Sequence, residues 1–349
     1  MSWEENVKKV VPYVPGEQPK TKVIKLNTNE NPYPPSDKVK HALEHFDIDS
    51  LRLYPDVNGG ELRTKLSEVY SVDEEKIFVG VGSDDVLAVA FLTFFAGKKP
   101  ILFPDITYSF YDVWADLYDI PYEMIPLDDD FRIKKEDYFR PNGGIVIPNP
   151  NAPTGVEKSI EALEEIVSKN KDSVVIIDEA YVDFGAKSML PLIDKYDNLL
   201  VVQTFSKSRC MAGVRIGMAF GNPKLINYMN DVKFSINSYT MNRLTVAAGV
   251  AMLEDSAYFE EMTNRVIATR ERTKVALREL GFEFPDSKSN FIFARHKQVA
   301  AKEIFEAAKK NGIFMRWWGK PRIDNYLRIS IGTDEQMDEM IAFLKEYLK

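Results

Sequence analysis

At 349 residues with 45% apolar content, the chain can bury a large core, and its length favours one big domain carrying a smaller one, or two of medium size. A formal charge of -8 without a basic stretch argues against nucleic acid, while leaving room for a local positive pocket that captures a small anion. Cys210 is the only cysteine, which excludes an internal disulfide; the first residues lack a secretion core, and the longest nearly unbroken apolar run, Val86 to Ala96, falls well short of the ~20 residues of a spanning helix, so the expected location is the cytoplasm, away from membranes.

Residues 1–36 carry Pro12, Pro15, Pro19, Pro32, Pro34 and Pro35 and predict an extended arm. His41-Ala-Leu-Glu44-His45 matches the H-x-x-E-H pattern of inverted zinc proteases, but its flank is proline-rich and only His296 remains as another imidazole. A solvated helix face is the better reading, and no metal is expected. From about residue 75, short β-rich runs alternate with helical patterns: Ile77-Phe-Val, Pro100-Ile-Leu-Phe, Ile145-Val-Ile, Val174-Val-Ile-Ile, Leu199-Leu-Val-Val and Ile216-Gly-Met-Ala-Phe. Continuous apolar strands of this kind belong in a sheet covered on both faces. Ser159 to Lys169 reads as one of the covering helices, with Ile160, Leu163 and Val167 on one face behind a serine cap. Gly80-Val-Gly82 lacks the third glycine of a dinucleotide fingerprint; Asp85 stands there, and its carboxylate would repel a pyrophosphate.

The predicted large domain is 37–245. Beyond it, long helices with separated strands, Asn290-Phe-Ile-Phe-Ala and Tyr326-Leu-Arg-Ile-Ser, predict a smaller α+β domain over 246–349. Its last helix starts at the capping box Thr333-Asp-Glu-Gln336 and carries Met337, Ile341, Leu344 and Leu348 as one stripe. Cys210 is taken as packing.

Five strands run straight into polar clusters: Gly82-Ser-Asp-Asp, Asp105-Ile-Thr-Tyr-Ser, Asn149 to Gly155, Asp178-Glu-Ala-Tyr181 and Thr204-Phe-Ser-Lys207. In open parallel sheets ligands bind beyond the carboxyl ends of strands, so the clusters are expected to converge on one pocket. An acid and a lysine on neighbouring strand ends suit pyridoxal phosphate, which needs an amine to hold its aldehyde as a Schiff base and a carboxylate to keep its ring nitrogen protonated. Lys207 and Asp178 are the candidates. Tyr181 is placed to stabilise the phenolic oxygen, and Tyr108 is either a ring-stacking residue or plain core. Free N–H groups at Gly82-Ser83-Asp84, with Thr204, Ser206 and Arg215, offer the donors a phosphate dianion requires; ordinary helix capping and a surface ion pair are the competing readings.

These residues, with Leu26-Asn-Thr-Asn-Glu-Asn-Pro, Leu53-Tyr-Pro-Asp, Thr107-Tyr-Ser-Phe-Tyr, Ala212-Gly-Val-Arg-Ile-Gly and Leu327-Arg-Ile-Ser, resemble the aminotransferases of PLP fold type I, and within them the branch acting on histidinol phosphate. The resemblance runs from Pro12-Tyr13 to Gly332 and implies an α/β fold, with a large domain of mostly parallel sheet flanked by helices plus the small domain. It further implies that Lys207 is the Schiff-base lysine and proton shuttle, and that Asp178, Tyr181 and Tyr108 contact the ring. Phosphate would be held by Ser83, Asp84, Thr204, Ser206 and Arg215, with Tyr54 reaching in from the second subunit of a homodimer. Arg328 would bind the carboxylate of glutamate or the phosphate of histidinol phosphate, helped by Arg316 and Tyr13, while Asn29 lines the site. The usual Asn-Pro-Thr-Gly appears here as Asn151-Ala-Pro-Thr-Gly155, so Asn151 is expected to supply the amide from one position earlier, with Tyr181 alone on the oxygen as the alternative. Arg316-Trp-Trp-Gly-Lys is also more aromatic than the resemblance leads one to expect. Aromatic aminotransferases and threonine-phosphate decarboxylases share nearly the same cofactor residues. A carrier or regulatory role, or a dinucleotide-dependent oxidoreductase, fits less well.

Overall fold

The structure, a computed structural model, describes residues 2–349. In chain order its strands are β1 (Ile24–Lys25), β2 (Ile77–Gly80), β3 (Ile101–Pro104), β4 (Tyr122–Ile125), β5 (Gly144–Pro148), β6 (Val175–Asp178), β7 (Leu199–Thr204), β8 (Gly217–Gly221), β9 (Phe282–Glu283), β10 (Phe291–His296), β11 (Ile313–Phe314), β12 (Arg316–Trp317) and β13 (Leu327–Ser330). A seven-stranded sheet has the order β2-β8-β7-β6-β5-β3-β4. Strands β4, β3, β5, β6 and β7 run parallel, and β8 is antiparallel to both β7 and β2.

The apolar runs explain this sheet. Along β5, β6 and β7, alternate residues enter different cores: Ile145, Ile147, Val175, Ile177, Leu199 and Val201 on one side, Val146, Ile176, Leu200 and Val202 on the other. That is the period-two geometry of a strand covered on both faces, and each such side chain contributes roughly 1.5–3 kcal/mol of burial. The Ile160–Lys169 helix begins behind its Ser159 cap as the sequence predicts. Strand β4 was not foreseen, because its exposed Glu123 and Met124 interrupt the apolar signal at the sheet edge.

A four-stranded antiparallel sheet, β12-β13-β10-β9, packs Ile292, Ala294, Leu327 and Ile329 against the Ala301–Lys310 and Asp334–Tyr347 helices. The second of these carries the expected capping box, with Gln336 N–H donating to Thr333 Oγ1 and Thr333 N–H to Gln336 Oε1. The proline-rich start is less irregular than expected: β1 pairs in parallel with β11, and a short 3-10 turn forms at Trp3–Asn6. His41 and His45 stack ring on ring at 4.0 Å on the exposed end of the Asp37–Glu44 helix. No helix among the described residues is long and apolar enough to cross a membrane.

Candidate active site

Sheet register brings the chemistry to one end. Thr204 and Gly80 both pair with Gly217, so the antiparallel β8 begins where β2 and β7 finish, and Arg215 in its lead-in joins the carboxyl ends of the parallel strands. Arg215 sits in the left-handed region at φ 59°, directing its guanidinium back to Ser206 Oγ at 3.4 Å and the Ala212 carbonyl at 3.2 Å. Its other terminal nitrogen meets Asp84 Oδ2 at 3.1 Å. Gly82 makes this approach possible: at φ 83°, a Cβ there would lie 2.3 Å from Arg215 Nη2.

Lys207, Asp178, Tyr181, Tyr108, Ser83, Asp84, Ser206 and Arg215 line a single cavity of about 310 Å³. The Ser83–Phe94 helix opens into it behind Gly82 with no side-chain cap, so its first backbone N–H groups are free for an anion. Asp178 is buried at the end of β6, where Tyr111 donates to Oδ2 at 2.8 Å and the Ala180 N–H to Oδ1 at 3.2 Å. Burial pushes its carboxyl up to about 6, against the pull of those two donors, so it is mainly ionised at neutral pH and suited to a protonated ring nitrogen. Lys207 Nζ is lightly held, 3.4 Å from the Thr28 carbonyl and 5.9 Å from the Tyr181 ring centre.

Tyr181 accepts a hydrogen bond from Asn29 Nδ2 at 2.9 Å. Asn29 is fixed in turn: its backbone has φ 57°, its N–H donates to Ser330 Oγ, and its carbonyl accepts from Asn290. Tyr108 donates to Asp84 Oδ1 at 2.8 Å, and burial holds its hydroxyl protonated far above neutrality. Thr204 lies behind the wall, bonding Ser206 Oγ at 3.0 Å and the Ile216 carbonyl at 3.1 Å. It supports Ser206 instead of facing the cavity.

Asn151 is not among the lining residues. Its Nδ2 donates to the Ile106 carbonyl and Thr154 Oγ1, its Oδ1 accepts from Thr107, and Ala152 faces the cavity instead. The amide is committed to the loop, which leaves Tyr181 as the polar side chain of the pair. Tyr54 also stands away from the cavity, 76% exposed and stacked on Tyr239 at 4.5 Å.

A second cavity of about 420 Å³ shares Asp84, Tyr108, Tyr181, Lys207 and Arg215 with the first and continues to Tyr13, Asn29, Arg316, Trp318 and Arg328. Tyr13 stacks on Phe110 at 4.1 Å, and Arg316 donates to the carbonyls of Val14 and Pro15, so the N-terminal segment roofs this part. Arg328 donates to the Asn27 carbonyl at 2.8 Å, while its Nε is buried without a partner. A larger cleft, about 810 Å³, is walled by charged side chains already paired with one another, such as Arg295 with Glu283.

Sequence reasoning missed Tyr111, the only side chain among the described residues that bonds Asp178. The Thr107-Tyr-Ser-Phe-Tyr111 motif contained it, but only the fold brings it to a carboxylate 67 residues away. The residues present fit a phosphorylated pyridine aldehyde: free N–H groups and Arg215 for the phosphate, a buried carboxylate for the ring nitrogen and an amine for the aldehyde. Once bound, that group provides an electron sink for a carbanion at the α-carbon of an amine.

The fold and this site define a pyridoxal-phosphate enzyme of the transaminase class. The family model "Aminotransferase class I and II" matches residues 21–344, and the chain belongs to that family. Among its relatives, the histidinol-phosphate aminotransferase of Lactococcus lactis subsp. cremoris (strain MG1363) is 51% identical over 350 residues, covering 100% of this chain and 98% of its own. That of Clostridium beijerinckii is 52% identical over 344 residues, covering 98% and 96%. In solved structures the same fold is found in the histidinol-phosphate aminotransferase of Sinorhizobium meliloti in complex with pyridoxal-5'-phosphate, with TM-score 0.88, 24% identity and coverage of 97% and 95%.

Proposed function

We propose that the enzyme transfers an amino group between histidinol phosphate and 2-oxoglutarate, giving imidazole acetol phosphate and glutamate, as a step of histidine biosynthesis. The observation that carries this reading is the Arg316 and Arg328 pair, which faces the lysine-bearing cavity and forms no ion pair with a carboxylate among the described residues. Two guanidinium groups suit a phosphate in one half-reaction and a carboxylate in the other. The names of the relatives at 51% and 52% identity support the same choice.

In this reading Lys207 takes the proton from the α-carbon of the amino donor and carries it away from that carbon, and in the reverse half-reaction it delivers a proton to the corresponding carbon of the keto acceptor, a role that its lightly bonded amine leaves open. Asp178, oriented by Tyr111, holds the ring nitrogen, and Tyr181, oriented by Asn29, holds the phenolic oxygen. Tyr108 stacks on the ring. Ser83 and Asp84 N–H groups, Ser206 and Arg215 bind the cofactor phosphate, with Thr204 acting through Ser206.

We further read the chain as an arm (1–36), a large domain (37–245) and a small one (246–349), working in the cytoplasm as a homodimer. Ile48, Leu51, Leu53, Tyr54, Ile236 and Tyr239 are exposed apolar side chains on two segments that Arg243 ties together through the Leu53 and Tyr54 carbonyls. An interface there presents Tyr54 to the second subunit's phosphate site. Sedimentation at catalytic concentration checks this; a fully active monomer overturns it.

The decisive experiment is the visible spectrum of the holoenzyme with histidinol phosphate or phenylalanine added separately, without a keto acid. Loss of the cofactor's absorption band with histidinol phosphate at much lower concentration than phenylalanine supports the proposal. A preference for phenylalanine, or release of carbon dioxide from a phosphorylated amino acid, overturns it.

A further inference from the structure

Arg316 and Arg328 are register partners across the β12–β13 ladder, so two positive side chains stand directly opposite each other on one face of the sheet. Like charges in that position repel. Neither belongs to an ion pair among the described residues; their polar contacts are the carbonyls of Val14 and Pro15 for Arg316 and of Asn27 for Arg328. The groups that bear most on Arg328 are Tyr181, Tyr13, Arg316 and Tyr108, none of them a carboxylate; Asp84 lines the same cavity but is paired with Arg215. Something other than an anion therefore has to hold the pair in place.

Trp318 meets that need. The Arg316 guanidinium carbon lies 5.3 Å and that of Arg328 5.2 Å from the same indole ring centre. An aromatic face attracts a cation through its quadrupole without carrying charge. A carboxylate here would hold the arginines equally well, but it would neutralise them and compete with an arriving anion. The ring restrains both and leaves their positive charge uncompensated for the ligand. Trp317, next in the chain, faces away: its Nε1 donates to the Asp324 carbonyl at 2.7 Å, and its ring lies near Phe305. The two tryptophans can therefore be altered separately.

We propose that Trp318 is a positioning residue for substrate specificity, holding Arg316 and Arg328 as one uncompensated pair and so favouring a dianionic phosphate over a carboxylate or an uncharged group. This rests on the phosphorylated substrate proposed above. Arg328 also lies 5.5 Å from the Phe291 ring centre, so the indole is the face the two arginines share; the test compares the wild type with Trp318→Leu, which removes that shared face, and Trp318→Phe, which keeps one. For Trp318→Leu the KM for histidinol phosphate rises about tenfold while kcat stays within about twofold, and Trp318→Phe recovers most of the loss. Inhibition by dephosphorylated histidinol stays nearly constant across the three proteins.

Calorimetric titration of the holoenzymes with inorganic phosphate gives a readout independent of turnover. Binding weakens in Trp318→Leu by the same factor and is largely restored in Trp318→Phe. Equal behaviour of the two variants, or a parallel loss for histidinol and its phosphate, makes Trp318 an ordinary wall and overturns the inference. Should the wild type fail to act on histidinol phosphate, the proposed substrate falls. The phosphate titration then still decides whether the ring organises an anion site.

Discussion

At the Gly82 end of the cavity Arg215 already holds the Asp84 carboxylate, whereas at the far end Arg316 and Arg328, among the described residues, meet carbonyl oxygens and aromatic faces, the Trp318 indole shared by both and the Phe291 ring by Arg328 alone. Asp178 and Tyr108, near the first end, likewise have partners in Tyr111 and Asp84. Matched charges are inexpensive to keep when no ligand is present, and that suits a group that stays bound through many turnovers. Unmatched charges destabilise the free protein but pull harder on whatever anion arrives, and that suits substrates that must exchange. In the proposed reading the two joined cavities therefore form a resident end and an exchanging end, with Lys207 lining both.

The sharpest break comes in the middle. Lys207→Ala is expected to remove the proton carrier proposed above and to lower transamination by more than about 10³-fold, with the melting temperature of the cofactor-free chain nearly unchanged because the amine makes a 3.4 Å contact with the Thr28 carbonyl and stands 5.9 Å from the Tyr181 ring centre. Steady-state kinetics and thermal unfolding check both halves of that statement, and undiminished turnover would end the assignment. Arg328→Leu attacks the exchanging end: KM for both amino donors rises about 10–100-fold, the scale of a lost charge-assisted bond, while cofactor affinity holds. Equal loss of cofactor and substrate would erase the division between the ends.

Tyr111→Phe acts on the resident end through pH. Burial raises Asp178 to about 6, and in the proposed reading its ionised form pairs with a protonated ring nitrogen, so wild-type cofactor affinity is expected to fall as pH drops through about 6. The Tyr111 hydroxyl lowers that value, so its removal shifts the acid limb of the affinity profile upward by about one pH unit. In the cofactor-free chain the sign reverses: the raised carboxyl contributes stability fully below its ordinary 3.8 and loses it as pH rises through about 6. Cofactor binding should consequently raise the melting temperature more at pH 8 than at pH 5. Gly82→Ala is the mildest change, forcing a left-handed residue to take a side chain against Arg215 and weakening cofactor affinity by roughly tenfold, measurable by fluorescence titration.

Much of this was readable from residue order. Strand interiors announced themselves as unbroken Val, Ile and Leu, and the polar clusters behind them marked the site, since both signals are local. Tyr111 was hidden because it lies in the fully buried part of an aromatic cluster and only its hydroxyl leaves it, toward a strand far along the chain. Asn151 misled for the converse reason: a polar residue one position from a familiar asparagine was expected in the cavity, but the loop uses every bond its amide has to give. Local chemistry gives a side chain's capacity, and only the surrounding backbone decides where it is used.

The facing of Arg316 and Arg328 is a matter of strand phase. Side chains alternate along a strand, so a one-residue shift of β12 against β13 would turn Arg316 to the opposite face without changing a single amino acid in the cavity. The loop from Trp318 to Tyr326 joins the two strands, and Arg322 anchors it to Asp105 and to the Leu127 and Asp128 carbonyls; loop length is one of the things that fix the register of a hairpin. An insertion or deletion in that loop would thus be expected to reset the frame of the arginine pair, and a designer seeking a new substrate range could change loop length beyond Trp318 before substituting the residues that line the pocket.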